Sequence, residues 1–153
     1  MFLGRIPAAI LSLALLTACI APVDRRPGLW LPGEVAPFPS DWSFAQEYPL
    51  IAIEVRTPYL LRHSVTIVQG TFEGDLIVGA RDPETKNWPS WADDDPEVRL
   101  GIGDRVYEAK LVPITDEADL DQIKRRALEN SGNQGEMPEF EIRFWRVVER
   151  DVR

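Results

Sequence analysis

Two short turn sequences, each set between runs of apolar residues, place the strongest constraint on how this chain can fold. The first turn is Glu73-Gly74-Asp75 and the second is Gly103-Asp104. The flanking runs are residues 64–72 and 76–81 for the first turn, and residues 97–102 and 105–114 for the second. A short glycine-containing turn between such runs is typical of a β-hairpin. The sequence therefore predicts two hairpins and an antiparallel sheet.

Two further segments have the composition of strands. Residues 50–56 are mostly aliphatic, and residues 139–149 alternate apolar and charged side chains. Alternation places every second side chain on one face of a strand, so that one face can be buried while the other meets solvent. Together with the two hairpins, these segments bring the predicted number of strands to six.

Helical patterns occupy two other stretches of the chain. Residues 41–48 predict a short helix capped by Ser40 or Asp41. Residues 116–130 predict a longer helix, capped by Thr115, with apolar side chains at helical spacing on one face. The predicted fold class is therefore mainly β (α+β), with six antiparallel strands, one short helix and one longer helix.

The stretch before the first predicted strand is rich in proline. Its five prolines stand at positions 22, 27, 32, 37 and 39. Neither a helix nor a central strand tolerates that density. We interpret residues 19–40 as an extended tether and residues 41–150 as the folded domain. Four apolar side chains within the tether favour packing of part of it on the domain: Trp30, Leu31, Val35 and Phe38.

Residues 1–18 have the order of a secretory signal. A start with one basic residue, Arg5, precedes an apolar run over residues 8–16, and the small residues Thr17 and Ala18 follow. The apolar run is far shorter than the roughly 20 residues that a membrane-spanning helix needs. The segment is therefore expected to direct export and then to be removed.

The sequence Leu16-Thr17-Ala18-Cys19 resembles the lipobox of bacterial lipoprotein precursors. The resemblance implies cleavage before Cys19 and acylation of its thiol. Cys19 is the only cysteine, so it cannot form an internal disulfide in an exported protein. Because Ile20 rather than aspartate follows it, the resemblance implies sorting to the outer membrane, with the domain facing the periplasm.

The charge balance of the predicted mature chain is acidic. The whole chain has 17 basic and 25 acidic side chains, and the signal segment contains one of the basic ones. The mature part therefore has a net charge near 16 − 25 = −9. This excess of acids argues against nucleic acid or anionic lipid as a partner. It is the charge expected of a domain that stands off a negatively charged membrane.

Three patches in the folded part resemble the split β-barrel of the pyridoxamine-5′-phosphate-oxidase-like superfamily, in particular its flavin- and deazaflavin-dependent nitroreductase branch. The patches are Arg56-Thr57, Trp88-Pro89-Ser90-Trp91 and Asp94-Asp95-Pro96-Glu97-Val98. The resemblance covers roughly residues 50–148. It implies a six-stranded antiparallel split barrel, a possible FMN or deazaflavin cofactor, and a homodimer.

The same resemblance implies that strand ends and the loop after the third strand surround a cofactor. A phosphate site uses arginine, lysine and hydroxyl groups, and tryptophan rings can flank a planar ring. The candidate ligand-binding residues are Arg56, Thr57, Arg62, His63, Ser64, Arg81, Lys86, Trp88 and Trp91. Nearby acids are also placed to neutralise the basic side chains, which leaves a purely structural role open for each of them.

Features of the chain favour binding over catalysis. Pro58-Tyr59-Leu60-Leu61-Arg62-His63 stands where the deazaflavin branch has a glycine- and serine-containing run, and Asp95 replaces the asparagine that ends its helix. The predicted signal has no twin-arginine pair before its apolar run, so the chain is expected to cross the membrane unfolded and to arrive without a cofactor. The sequence contains no spacing of metal ligands and no recognisable catalytic set, and His63 is its only histidine.

We therefore expect a membrane-anchored envelope protein whose domain binds a small ligand or another envelope protein without catalysis. A flavin- or deazaflavin-dependent oxidoreductase is one alternative. A haem-binding split barrel, with His63 as the iron ligand, is another.

Overall fold

The computed structural model describes Pro22, residues 27–130 and residues 141–151. The predicted signal segment, Cys19 and the first two residues of the last predicted strand lie outside the described residues.

Seven strands and two α-helices make up the described part of the chain. The strands are β1 (Glu34–Ala36), β2 (Leu50–Arg56), β3 (Arg62–Phe72), β4 (Asp75–Arg81), β5 (Glu97–Ile102), β6 (Arg105–Pro113) and β7 (Ile142–Glu149). The helices are α1 (Asn87–Asp94) and α2 (Glu117–Asn130). Two short 3₁₀ helices, Ser43–Glu47 and Pro83–Thr85, precede β2 and α1.

Six of these strands close a barrel. Around the ring the order is β2, β3, β4, β7, β6 and β5, and β5 pairs with β2 again. Every pairing in the ring is antiparallel, whereas β1 lies outside it and runs parallel to β6. The predicted six-stranded antiparallel barrel with two helices is confirmed. The short helix predicted over residues 41–48 is the 3₁₀ helix Ser43–Glu47, and α1 and the outer strand β1 are additions to the predicted elements.

The two predicted turns have the backbone that hairpins require. Phe72 pairs with Asp75, and the two residues between them, Glu73 and Gly74, have φ of +55° and +91°. Positive φ at both central residues matches the right-handed twist of the flanking strands. At the second turn Gly103 has φ +62°, a conformation that favours glycine.

Alternation along the strands fills the barrel. On β2 the buried residues Ile51, Ile53 and Val55 join the main core, and the neighbouring strands contribute in the same way. Trp42 and Ala45 pack into this core from the segment before β2, and Trp88 and Ala92 pack into it from α1. We call the barrel end that α1 covers, where β2 ends and β3 begins, the α1 end.

Residues 28–36 cross the outside of the barrel, and we call them the N-terminal strap. Gly28 forms an antiparallel bridge with Ser64 at the start of β3, near the α1 end. Leu31 is buried, and a Cβ on Gly101 would lie only 3.3 Å from its side chain. β1 then pairs with the first residues of β6 at the opposite end. The strap therefore runs from the α1 end to the other end of the barrel.

Local capping differs in one respect from the sequence prediction. Asp116, rather than Thr115, caps α2, because its Oδ1 accepts a hydrogen bond from the amide of Asp119 at 3.0 Å. The prediction that Thr115 has this role is wrong. Before β2, Asp41 accepts from the amide of Ser43 at 3.0 Å, and the short helix there is a 3₁₀ helix.

Among the described residues, no helix combines the length and the apolar composition that a membrane span requires.

Candidate functional site

Six of the nine predicted ligand-binding residues lie together near the α1 end. Arg56 ends β2 and Thr57 follows it, and Arg62, His63 and Ser64 begin β3. Trp91 on α1 packs against the ring of His63. The antiparallel pairing of β2 with β3 produces this grouping, because the last residue of one strand faces the first residue of the other.

His63 sits among aromatic rings at this end. Its ring centroid is 5.1 Å from that of Trp91 in an edge-to-face arrangement. The ring of Tyr59 is also edge-to-face with Trp91, at 6.2 Å. Burial lowers the pKa of His63 below its ordinary value, because the charged imidazolium loses water there. The neutral ring is therefore favoured at neutral pH.

The arginines of this group are engaged by acids. Arg56 Nη1 lies 3.2 Å from Oδ2 of Asp95, at the end of α1. Arg62 Nη1 donates to Oε1 of Glu54 at 2.7 Å. Both guanidinium groups are partly exposed, but their charges are already balanced by these partners.

The two hydroxyls of the group are buried. Thr57 Oγ1 donates to the carbonyl of Leu61 at 2.8 Å and closes the loop between β2 and β3. Ser64 is fully buried beneath Gly28, and its Oγ has no hydrogen-bond partner among the described residues. Thr57 therefore stabilises the loop, and the Ser64 hydroxyl lies buried on the outer face of the barrel. Neither hydroxyl faces an open cavity.

The other three predicted residues lie at the end of β4 and in the segment that follows it, and their contacts are with residues outside this group. Arg81 Nε is 3.2 Å from Oδ2 of Asp82 at the end of β4. The ammonium of Lys86 donates to the carbonyl of Arg81. Trp88 is buried in the core, with its ring 5.2 Å from that of Trp145. Each of the four predicted cations is therefore already engaged by a partner within the protein.

Sequence reasoning missed the most enclosed charge of the described chain, Glu54. It is 1% exposed on the outer face of β2. Its carboxylate accepts from Arg62, from Arg99 on β5 at 3.1 Å and from the amide of Leu31 on the strap at 2.5 Å. The sequence offered one signal for this buried charge, because Glu54 is the only acid within the mostly aliphatic residues 50–56. Its three partners come from separate parts of the chain and could not be identified from spacing.

Sequence reasoning also missed a groove between the barrel wall and α2. It has a volume of about 740 Å³ and lies over β3, β4 and β7. Its apolar floor includes Phe72, Ile77 and Phe144, and Ile123 on α2 packs against these residues. Of the predicted residues, only Arg81 lines it.

One cation on α2 stands at the rim of this groove. The guanidinium of Arg126 lies 5.3 Å from the centre of the Phe72 ring. Among the described residues it forms no ion pair with a carboxylate. Asn130 and Ile142, which also line the groove, flank residues 131–140, and those lie outside the described residues.

Within residues 27–130 and 141–151, no group of three or more histidine, cysteine or carboxylate side chains is placed to hold a metal ion. Cys19, the predicted lipidation residue, lies outside this part of the chain.

Comparisons with known proteins give a fold and no family. No family model matches the sequence, and no curated protein matches it. Among solved structures, the chain is similar to the haem storage protein HutZ of Vibrio cholerae, with a TM-score of 0.55 at 12% identity. That match covers 71% of this chain and 87% of the other.

A second similar structure is a protein of Listeria innocua assigned as a pyridoxamine 5′-phosphate oxidase. Its TM-score is 0.52 at 9% identity, and the match covers 69% of this chain and 88% of the other. At such identities the likeness extends to the fold alone. The described chain has the split-barrel fold of the pyridoxamine-5′-phosphate-oxidase-like proteins.

Proposed function

We propose that the chain is a lipid-anchored protein of the bacterial envelope whose split barrel binds a small molecule with an apolar body and an anionic head, and that it catalyses no reaction. The observation that carries the binding proposal is the groove of about 740 Å³ between the barrel and α2. A concave, largely apolar site with a few polar groups is the usual form of a small-molecule site.

The charge at the rim of the groove favours an anion. Arg126 stands over Phe72 without a carboxylate partner among the described residues, and Arg81 lines the groove from β4. An aliphatic or aromatic body on Phe72 and Phe144, with a carboxylate near Arg126, would use both parts of the site. A long-chain carboxylate has this form.

The α1 end supports a role without catalysis. Arg56 and Arg62 are bound to Asp95 and Glu54, and the His63 ring contacts Trp91. Freeing Arg62 for a substrate would take from Glu54 one of the two cations that balance its buried carboxylate. These cations are therefore better explained as structural groups than as substrate ligands.

The binding proposal is tested by calorimetry with dodecanoate and with the uncharged dodecanol. We expect dodecanoate to bind more tightly. Arg126→Gln should weaken dodecanoate about tenfold and leave dodecanol unchanged, because tenfold corresponds to the roughly 1.4 kcal/mol of one charge-assisted contact. Ala127→Trp should weaken both by filling the groove. Arg125→Gln, a neighbouring change outside the groove lining, is the matched control.

Equal binding of dodecanoate to the wild-type chain and to the Arg126→Gln and Ala127→Trp variants would contradict the groove as the site. Tight binding of added FMN, seen as a shifted flavin absorbance band, would contradict the non-catalytic assignment and favour the oxidoreductase.

The anchoring proposal rests on the sequence around Cys19 and has its own test. Replacing Cys19 with serine should release the chain from the membrane fraction or leave it unprocessed. A processed Cys19→Ser chain that remained stably on the membrane would contradict lipid anchoring.

A second candidate function is haem binding through His63. Its half-buried position beside Trp91 and its lowered pKa favour a neutral ring, which is the form that ligates iron. Added haem should then produce a Soret band that His63→Ala abolishes. A Soret band of equal intensity in His63→Ala would rule out this ligand.

A further inference from the structure

The α1 end exposes an uninterrupted apolar loop. Tyr59, Leu60 and Leu61 connect β2 to β3 and are 62%, 79% and 60% exposed. Leu29 and Trp30 on the strap are each about half exposed. We call these five residues the apolar end surface. Single exposed apolar residues are ordinary, but a contiguous group marks an interaction site.

The backbone conformation of Leu60 is a second, independent observation. Its φ is +65°, in the left-handed region that glycine and asparagine occupy readily and other residues rarely do. Leucine gains nothing there from burial, because it is the most exposed large apolar side chain among the described residues. Neither folding nor local backbone preference explains a leucine at this position, which points to a contact outside the domain.

The loop and the strap residues Leu29 and Trp30 lie next to each other at the α1 end. The carboxylate of Glu54 binds both the amide of Leu31, which follows Trp30, and the guanidinium of Arg62, which follows Leu61. The Gly28–Ser64 bridge is antiparallel, so the residues after Gly28 continue toward the loop. The apolar end surface is therefore one surface formed by two segments.

The same end is where the chain arrives from Cys19. Seven residues separate Cys19 from Pro27. Fully extended, eight steps span at most about 29 Å. A lipid held by Cys19 would therefore keep Pro27, which directly precedes the Gly28–Ser64 bridge near the α1 end, within that distance of the bilayer.

We propose that the apolar end surface rests on the lipid bilayer, with Leu60 and Leu61 below the headgroups and Trp30 and Tyr59 at their level. This inference rests on the proposed lipid anchor. Tryptophan and tyrosine favour the membrane interface, and a second membrane contact strengthens a lipid anchor. Of the three acids at the end of α1, Asp93 and Asp95 are paired with Arg143 and Arg56, which limits repulsion from phosphates, and Asp94 is exposed.

The test uses the lipidated mature chain, which begins at Cys19, in phosphatidylethanolamine–phosphatidylglycerol vesicles containing a doxyl-labelled quencher lipid. A fluorescent probe is attached to Leu60→Cys and, separately, to Asp104→Cys at the opposite end. The acylated Cys19 thiol cannot take the probe, so the wild-type chain should remain unlabelled. We expect the doxyl lipid to quench the probe at position 60 at least about fivefold more than the probe at position 104. Aqueous iodide should quench in the reverse order.

Three other outcomes would each be decisive. Equal iodide quenching at both positions, in a chain that stays on the vesicles, would overturn the bilayer contact and leave the anchor intact. Shielding of position 60 from both quenchers would show that a protein covers the surface. Labelling of wild-type Cys19, or loss of the chain from the vesicles, would show instead that the proposed anchor is wrong.

Discussion

Arg99 lies opposite Glu54 on neighbouring strands, and its guanidinium reaches the Glu54 carboxylate at 3.1 Å beneath the N-terminal strap. The carboxylate is fully buried and the arginine side chain is only 16% exposed. Since the amide of Leu31 also donates to Glu54, one acid joins the strap to two strands of the barrel. Removing that acid leaves a cation in a place with little access to water.

We expect Glu54→Gln to lower the free energy of unfolding by about 3 kcal/mol, because Arg99 loses its counter-charge in a buried site. Urea unfolding of both chains measures the difference. Asp151→Asn is the matched control, because its ion pair with Lys110 is largely exposed and should contribute less than about 1 kcal/mol. A Glu54→Gln loss no larger than that of the control would mean that the cluster does not stabilise the fold.

Leu31 and Leu29 give a matched pair of strap variants, because one is buried and the other is half exposed. Leu31→Ala should destabilise the strap by about 2–3 kcal/mol, since its side chain fills the space above Gly101. Limited proteolysis should then cut within residues 28–36 faster than in the wild type. Leu29→Ala should leave the cleavage rate unchanged, and equal acceleration by both variants would contradict the assignment.

Leu60→Asn should not destabilise the domain in solution. Asparagine adopts the left-handed backbone more readily than leucine, so we expect an unchanged or higher melting temperature. Leu61→Asn, at a neighbouring exposed position without positive φ, serves as the comparison and should change the unfolding free energy by less than about 0.5 kcal/mol. A marked loss of stability in Leu60→Asn alone would show that leucine is there for the fold.

His63 should make the domain less stable in mild acid. Its pKa is lowered in the folded state, so the unfolded chain binds a proton first as the pH falls. Stability is therefore lost as the pH falls through the unfolded pKa, near 6.5, toward the lower folded value. Between about pH 7.5 and about pH 5.5, His63→Asn should lose less stability than the wild type. Urea midpoints across this range test the sign, and a larger loss in the variant would reverse it.

Much of the fold followed from local sequence. The two turns, with Gly74 and Gly103 at positive φ, fixed both hairpins, and residues 50–56 were predicted with the bounds that β2 has. β1 was not predictable in this way, because three residues among prolines have no recognisable period. β1 forms because it pairs with β6, about 70 residues further along the chain, and local sequence does not indicate such a pairing.

The candidate site was predictable only in part, and for a different reason. The pairing of Arg56 with Arg62 follows from hairpin geometry, but the charges of these arginines are balanced by Asp95 and Glu54. Asp95 comes from the end of α1 and Glu54 from the outer face of β2, and hairpin geometry predicts neither position. The groove against α2 was not predictable at all, since the position of a helix on a closed barrel is set by packing of Ile123 on Phe72 and Phe144.

The strap has a mechanical consequence. A pull on the chain before Pro27 would act first on the two backbone hydrogen bonds between Gly28 and Ser64, and next on the bond from Leu31 to Glu54. These contacts are few and are loaded one after another, whereas the closed ring of strands shares a load among all its ladders. Peeling nine residues would lengthen the tether by roughly 30 Å before the ring was strained. Under such a pull the strap would therefore lengthen before the barrel itself was strained.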